Sequence, residues 1–437
     1  MPLRCGSFRP QAHMGHHRAA VRFLLFQPFS KIEPQLLNSK PDVSLSGENM
    51  KEISLILVSI ATVLVPPIIM RYWGRKILRE ELPKKEKNYN LLKAEVICIF
   101  GAFILYFPAM IALGALDWAS DVVDKLPLPE IFKVFAFAAI LLFPLLLSIF
   151  LIIYETVKVG VNITEEKIEN PKKEVLKALA LILGPIIGFA FIWLLLMLYL
   201  PESLTSKWWF DLLVYSILIL AFFALFPLIL IRVGTRSELD PELKAELMRF
   251  CEEQGVKVRD IIVKGKPGQK LANAMVTGII PRYRYVVLTR YLVDNFEEDE
   301  IKAVLAHEIG HIKGKHLWIN AALSIGWFLF WIGLIYILHK FNVQLFSSPW
   351  IFFGVFFFAF YFWLFVIESR ISIRNEFKAD EFAANVVGLE PTLRALKKLA
   401  ELNLLPEKTG KWFNLLNRHP SIEKRVEHLK RLANLEP

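Results

Sequence analysis

The chain has 437 residues, 55% of them hydrophobic, a mean hydropathy of +0.43 and a net charge of +10. That is too apolar for an ordinary soluble protein and points to membrane spans. The basic excess sits mostly in short loops beside apolar segments, where it orients the chain in a membrane, so no nucleic-acid partner is expected. The three cysteines, Cys5, Cys98 and Cys251, lie far apart and form neither a disulfide framework nor a metal-ligand spacing.

In chain order, residues 1–49 are basic, lack a clear period, and are expected to be a poorly ordered N-terminal extension. Met50, directly before the first long apolar run, is the alternative natural start. Seven segments then meet the roughly 20 apolar residues that a bilayer demands. They run at 53–70, 95–116, 131–154, 176–200, 209–231, 317–339 and 350–368. The first five contain prolines and the last two have none in their apolar cores, so spans six and seven are expected to be the straighter supports.

Charge alternates between the loops. Loop 71–94 carries eight Lys/Arg, and 155–174 carries Lys158, Lys167, Lys172 and Lys173. Loop 117–130 has only Lys125 against four acidic residues, and 201–208 and 340–349 have one lysine each. By the positive-inside rule the N-terminus is outside, while 71–94, 155–174, 232–316 and everything after 369 are cytoplasmic. The domains expected are therefore spans one to five over 50–232, a soluble module over 233–316, spans six and seven over 317–369, and cytoplasmic helices over 370–437.

Within the module, Asp240 and Pro241 predict a helix start, and the helix runs through Leu247 to Gly255. Strands are predicted at 257–264, 271–280 and 284–289, with a turn at Pro281-Arg282. Asn295 and Glu298 have the spacing of a capping box for the next helix, which is expected to run on into span six.

That helix carries His307-Glu308-Ile309-Gly310-His311. Residues four apart share a helix face, so His307 and His311 can ligate one zinc ion, with Glu308 beside it as general base. Catalytic zinc needs a third protein ligand and leaves the fourth position open. After span seven, Glu376 and Asp380 are again four apart: Glu376 is assigned as the third ligand and Asp380 as the acceptor that orients a ligand histidine. A solvated acidic helix is the competing reading of the same spacing. His316 lies off the ligand face and is read as an interfacial residue or a support beside the site, not as a ligand.

His-Glu-Ile-Gly-His followed by Glu376-x-x-Ala379-Asp380 resembles the type I CAAX prenyl endopeptidases, seven-span membrane zinc metalloproteases. The resemblance extends to Asn273-Ala274 upstream and to His419-Pro420 with Arg425 near the C-terminus. It departs from the family where an arginine usually stands three residues before the ligand Glu: here Ile373 holds that place and Arg374 follows. The resemblance implies that His419 stabilises the oxyanion, that Asn273-Ala274 lie on an edge strand binding extended substrate, and that the helices enclose a chamber.

The expected fold is thus mostly α: a polytopic membrane protein of seven transmembrane helices enclosing a chamber, plus a small cytoplasmic α+β, gluzincin-like module. The expected activity is zinc endopeptidase, with one Zn2+ per monomeric chain, at the cytoplasmic side of the plasma membrane or endoplasmic reticulum. Its substrate would be a peptide or protein, either a prenylated tail or a membrane protein under quality control. The four-span heat-shock membrane protease type shares the motifs, but seven spans argue against it. A seven-span receptor or transporter with a structural zinc is the alternative from another class, and it would need a fourth protein ligand and no general base.

Overall fold

The computed structural model describes residues 47–205, 207–278, 280–341, 349–405 and 420–433. Its helical part begins with α1 (Gly47–Arg79), α2 (Lys84–Ala112), the short α3 (Ala115–Asp124), α4 (Glu130–Thr164), α5 (Pro171–Tyr199) and α6 (Trp208–Arg232). The module follows as β1 (Arg236–Ser237), α7 (Pro241–Glu253), β2 (Asp260–Lys264), β3 (Ala274–Thr277), β4 (Tyr285–Thr289), α8 (Arg290–Asn295) and α9 (Glu298–Lys313). Then come α10 (His316–Lys340), α11 (Pro349–Phe362), a π-helical turn (Trp363–Glu368), α12 (Ser369–Val387), α13 (Leu389–Leu402) and α14 (Ile422–Leu432).

Among the described residues six helices are long and apolar enough to cross a membrane. The fifth expected span coincides with α6. Outward-facing Ile56, Ile104, Ile182, Ile217 and Phe358 are all exposed, as a lipid-facing surface requires. Inside, α1, α2 and α4 pack around Leu55, Met70, Cys98, Tyr106 and Ile152. At one end of this bundle, Arg71 of α1 pairs with the buried Glu155 of α4 at 2.7 Å.

The segments assigned to the cytoplasmic side touch one another. The Lys167 amide donates to Gly268 O, Lys266 pairs with Glu169, and the Asn88 side chain donates to Leu404 O. These contacts bring loop 155–174, the start of α2 and the soluble module to one end of the helices.

The module is a four-stranded sheet in the order β1-β2-β4-β3. β2 and β4 are parallel, while β1 and β3 pair antiparallel to them and form the edges. The parallel pair supplies Ile261, Val263, Val286 and Leu288 to a core closed by Leu247 of α7 and by Ile301, Leu305 and Ile309 of α9. Asp240 caps α7 as expected, its carboxylate accepting from the Glu242 and Leu243 amides.

Three expectations need correction. α9 does not run on into span six, because the chain breaks at Gly314 and Lys315, and Lys315 takes a left-handed φ of 54° before α10 begins at His316. The capping box is Glu297 with Glu300, two residues later than expected, because Asn295 ends α8 instead. Span seven lacks proline yet is not uniformly α: a π turn interrupts it, and π turns distort the helical ladder without proline. Trp363, the first residue of that turn, packs against Trp327 of α10 at 5.6 Å between ring centroids.

Candidate active site

α9 and α12 cross at Gly310. A Cβ at that position would stand 2.9 Å from Ala379 Cα and 3.3 Å from Ala379 O, so only glycine permits this approach. The glycine inside the His-Glu-x-Gly-His motif is therefore what brings Glu376, one turn before Ala379, to the two histidines.

The result is a compact ligand set. His307 Nε2 and His311 Nε2 are 3.1 Å apart; Glu376 lies 3.4 Å from His311 Nε2 and 3.7 Å from His307 Nε2. Tetrahedral zinc with bonds of about 2.0–2.2 Å holds neighbouring donors about 3.3–3.6 Å apart. The three edges bracket that range, so the donor set fits one zinc ion. Among the described residues these three alone form such a group, which leaves a fourth position without a protein ligand.

The surroundings fix each ligand. His307 turns Nδ1 to Asp380 Oδ1 at 2.9 Å, so its N–H is donated to that carboxylate and Nε2 is left for a metal. Asp380 is in turn gripped by Arg425 of α14 through two bonds, 2.7 Å from Nε and 2.5 Å from Nη2. Arg425 also stands 3.6 Å from Glu376, and although burial disfavours its charge, the Asp380 carboxylate raises its pKa further. His311 turns Nδ1 to His316 Nδ1 at 2.6 Å. Burial opposes charge on His311, but the bond with Glu376 and the nearby Glu308 carboxylate lift its pKa above the usual histidine value. The negative field that favours a proton there also favours a cation.

Glu308 points to β3 and accepts the Val276 amide proton at 2.9 Å. One cavity of about 620 Å³ contains His307, Glu308, His311, Glu376, Asp380 and Arg425 together with Asn273, Ala274 and Met275. Seven of the eight residues singled out in the sequence therefore meet at one site. The eighth, His419, lies outside the described residues.

Arg374, at the point of departure from the family pattern, is exposed on α12 and does not line this cavity. Arg425 does, and sequence spacing gave little sign of it: its one signal was its place after His419-Pro420, capped by Ser421. His316 proves to be a support of His311, a contact made possible by the break at Gly314-Lys315.

Residues 237–433 match the sequence profile of Peptidase family M48. A Protease HtpX homolog of Aquifex aeolicus is 29% identical over 205 residues, covering 37% of this chain and 62% of that protein. Protease HtpX of Haemophilus influenzae is 27% identical over 217 residues, covering 45% of this chain and 75% of the relative. The chain thus spans under two thirds of the Aquifex protein's length. The crystal structure of S. mikatae Ste24p superposes with a TM-score of 0.60 over 89% of this chain and all of that one; at 18% identity the likeness is one of fold. The Peptidase family M48 profile over residues 237–433, a Ste24p-like fold and a two-histidine, one-glutamate cluster inside the matched region thus coincide on one chain.

Proposed function

We propose that this chain is an integral-membrane zinc endopeptidase whose site faces the cytoplasm. The observation that carries the reading is the triangle of His307, His311 and Glu376 with Glu308 beside it and an open edge strand, β3, along the same cavity. Zinc held by the three ligands would supply Lewis-acid polarisation of the scissile carbonyl and acidify the attacking water. Glu308, oriented by the Val276 amide, takes the proton from that water and delivers it to the leaving amine. Asp380 keeps His307 in the tautomer that presents Nε2, and Arg425 keeps Asp380 ionised and in place. A substrate in extended form pairs with the outward-facing backbone of Ala274 on β3, beside the Asn273 side chain. His419 is the assigned oxyanion donor, supported by its chain neighbour Pro420, which lines the cavity.

Substrates of this reading are peptide segments at the membrane surface, from prenylated tails or from membrane proteins under quality control. The basic loops at the catalytic end of the helices support the cytoplasmic side, in the plasma membrane or endoplasmic reticulum. A structural zinc in a receptor or transporter is disfavoured by the fourth position, which has no protein ligand among the described residues.

The test is Glu308→Gln in the purified full-length protein, with zinc content and peptide cleavage measured together. Zinc should stay at one per chain while cleavage falls about 10²–10⁴-fold, the usual contribution of a general base. Full proteolysis by this variant would refute the mechanism.

A further inference from the structure

The outer edge of β3 is not open along its whole length. Backbone groups of successive strand residues point to alternate edges. Asn273 faces β4: its carbonyl accepts the Thr289 amide and its own amide goes to Thr289 Oγ1. Ala272, Ala274 and Val276 therefore face outward. The Val276 amide is taken by Glu308. At the other end, Asn403 takes both groups of Ala272. Its side-chain oxygen accepts the Ala272 amide at 2.9 Å and its side-chain nitrogen donates to the Ala272 carbonyl at 2.7 Å. A primary amide carries one acceptor and one donor side by side, so Asn403 stands in for a residue of a neighbouring strand.

Asn403 is held firmly. It ends α13 with its amide bonded to Leu399 O, and the next residue, Leu404, has a left-handed φ of 49° and accepts from Asn88 of α2. Asn403 and Ala272 both line the catalytic cavity.

We propose that Asn403 is a specificity-determining residue that ends the substrate-binding edge of β3, so that substrate can extend only a short way past the scissile bond in the direction of Ala272. Four residue steps separate Ala272 from Val276, whose amide is bonded to Glu308, about 13 Å at roughly 3.3 Å each. Substrate lying along this edge thus has room for about four extended residues between Glu308 and the Asn403 amide. The proposal rests on the reading of β3 as the substrate strand.

The experiment uses full-length, zinc-loaded protein and fluorogenic peptides that share one central sequence and are lengthened residue by residue at either end. In the wild type, kcat/KM should fall once one end, and only one, passes about four residues from the cleaved bond. Asn403→Ala should raise the rate on long peptides relative to short ones by about tenfold, because both backbone groups of Ala272 become available, and the near-isosteric Asn403→Asp should raise it by less, because its carboxylate frees the Ala272 carbonyl but still accepts the Ala272 amide. A wild type indifferent to length at both ends overturns the proposal. So does an unchanged length profile in an Asn403→Ala protein that retains zinc. Ala274→Pro separates the two readings: if it cleaves all peptides as the wild type does, β3 is not the substrate strand at all. If it loses all cleavage while the Asn403 variants keep the wild-type profile, only the role of Asn403 fails.

Discussion

Gly310→Ala tests the crossing on which the site depends. The added methyl would sit 2.9 Å from Ala379 Cα and 3.3 Å from Ala379 Cβ and O. Carbon atoms pack at about 3.5–4.0 Å, so the deficit at Ala379 Cα is about 0.6–1.1 Å. Two of the atoms met are backbone, so no side-chain rotation relieves the clash and α9 and α12 must part. Metal sites tolerate ligand displacements of about 0.2 Å. A separation several times larger, one turn from Glu376, should pull that carboxylate off a zinc held by the two histidines. Overpacking of this kind costs about 1–3 kcal/mol, of which alanine's better helix propensity returns up to about 1 kcal/mol. Zinc affinity, read by competition with a chromophoric chelator, should fall at least about tenfold, and peptide cleavage with it. Gly333→Ala in α10, where a Cβ meets nothing within 4 Å, is the matched control and should change neither. Zinc affinity in Gly310→Ala equal to that of the wild type would refute the reasoning.

Arg425→Lys keeps a positive charge but loses the two-pronged grip on Asp380, so zinc affinity should drop about 10–100-fold despite the conserved charge; an unchanged affinity in chelator competition would show that charge alone suffices. His316→Ala removes the partner of His311 Nδ1 and should weaken zinc by a similar factor while leaving the His307–Asp380 bond intact; wild-type affinity would show His316 to be packing only. Metal removal should lower the melting temperature, because the ligands converge only in the folded chain. Restoring zinc to 100 times its dissociation constant should return about 2.7 kcal/mol. A His307→Ala protein should show no such dependence, and a melting temperature insensitive to zinc in the wild type would count against the site.

The sequence alone determined the parts of this protein whose physics is local. Apolar run length marks a bilayer crossing wherever it occurs, and seven runs were legible, with six helices meeting the criterion among the described residues. Helical periodicity put His307 above His311 and Glu376 above Asp380, and that spacing holds whatever the rest of the fold does. Loop charge put both halves of the pair on one side of the membrane. What tertiary structure decided was everything that depends on two distant segments meeting. Gly310 looked like a motif letter until Ala379 stood against it. His316 acquired its contact with His311 only because the chain breaks at Lys315, a backbone turn that the smooth helical pattern of 298–340 concealed. Arg425 comes 118 residues after His307, and Asn403 131 residues after Ala272. No periodicity spans such distances, so the partners of the candidate metal-binding side chains and of the edge strand could be found only where the chain brings them together.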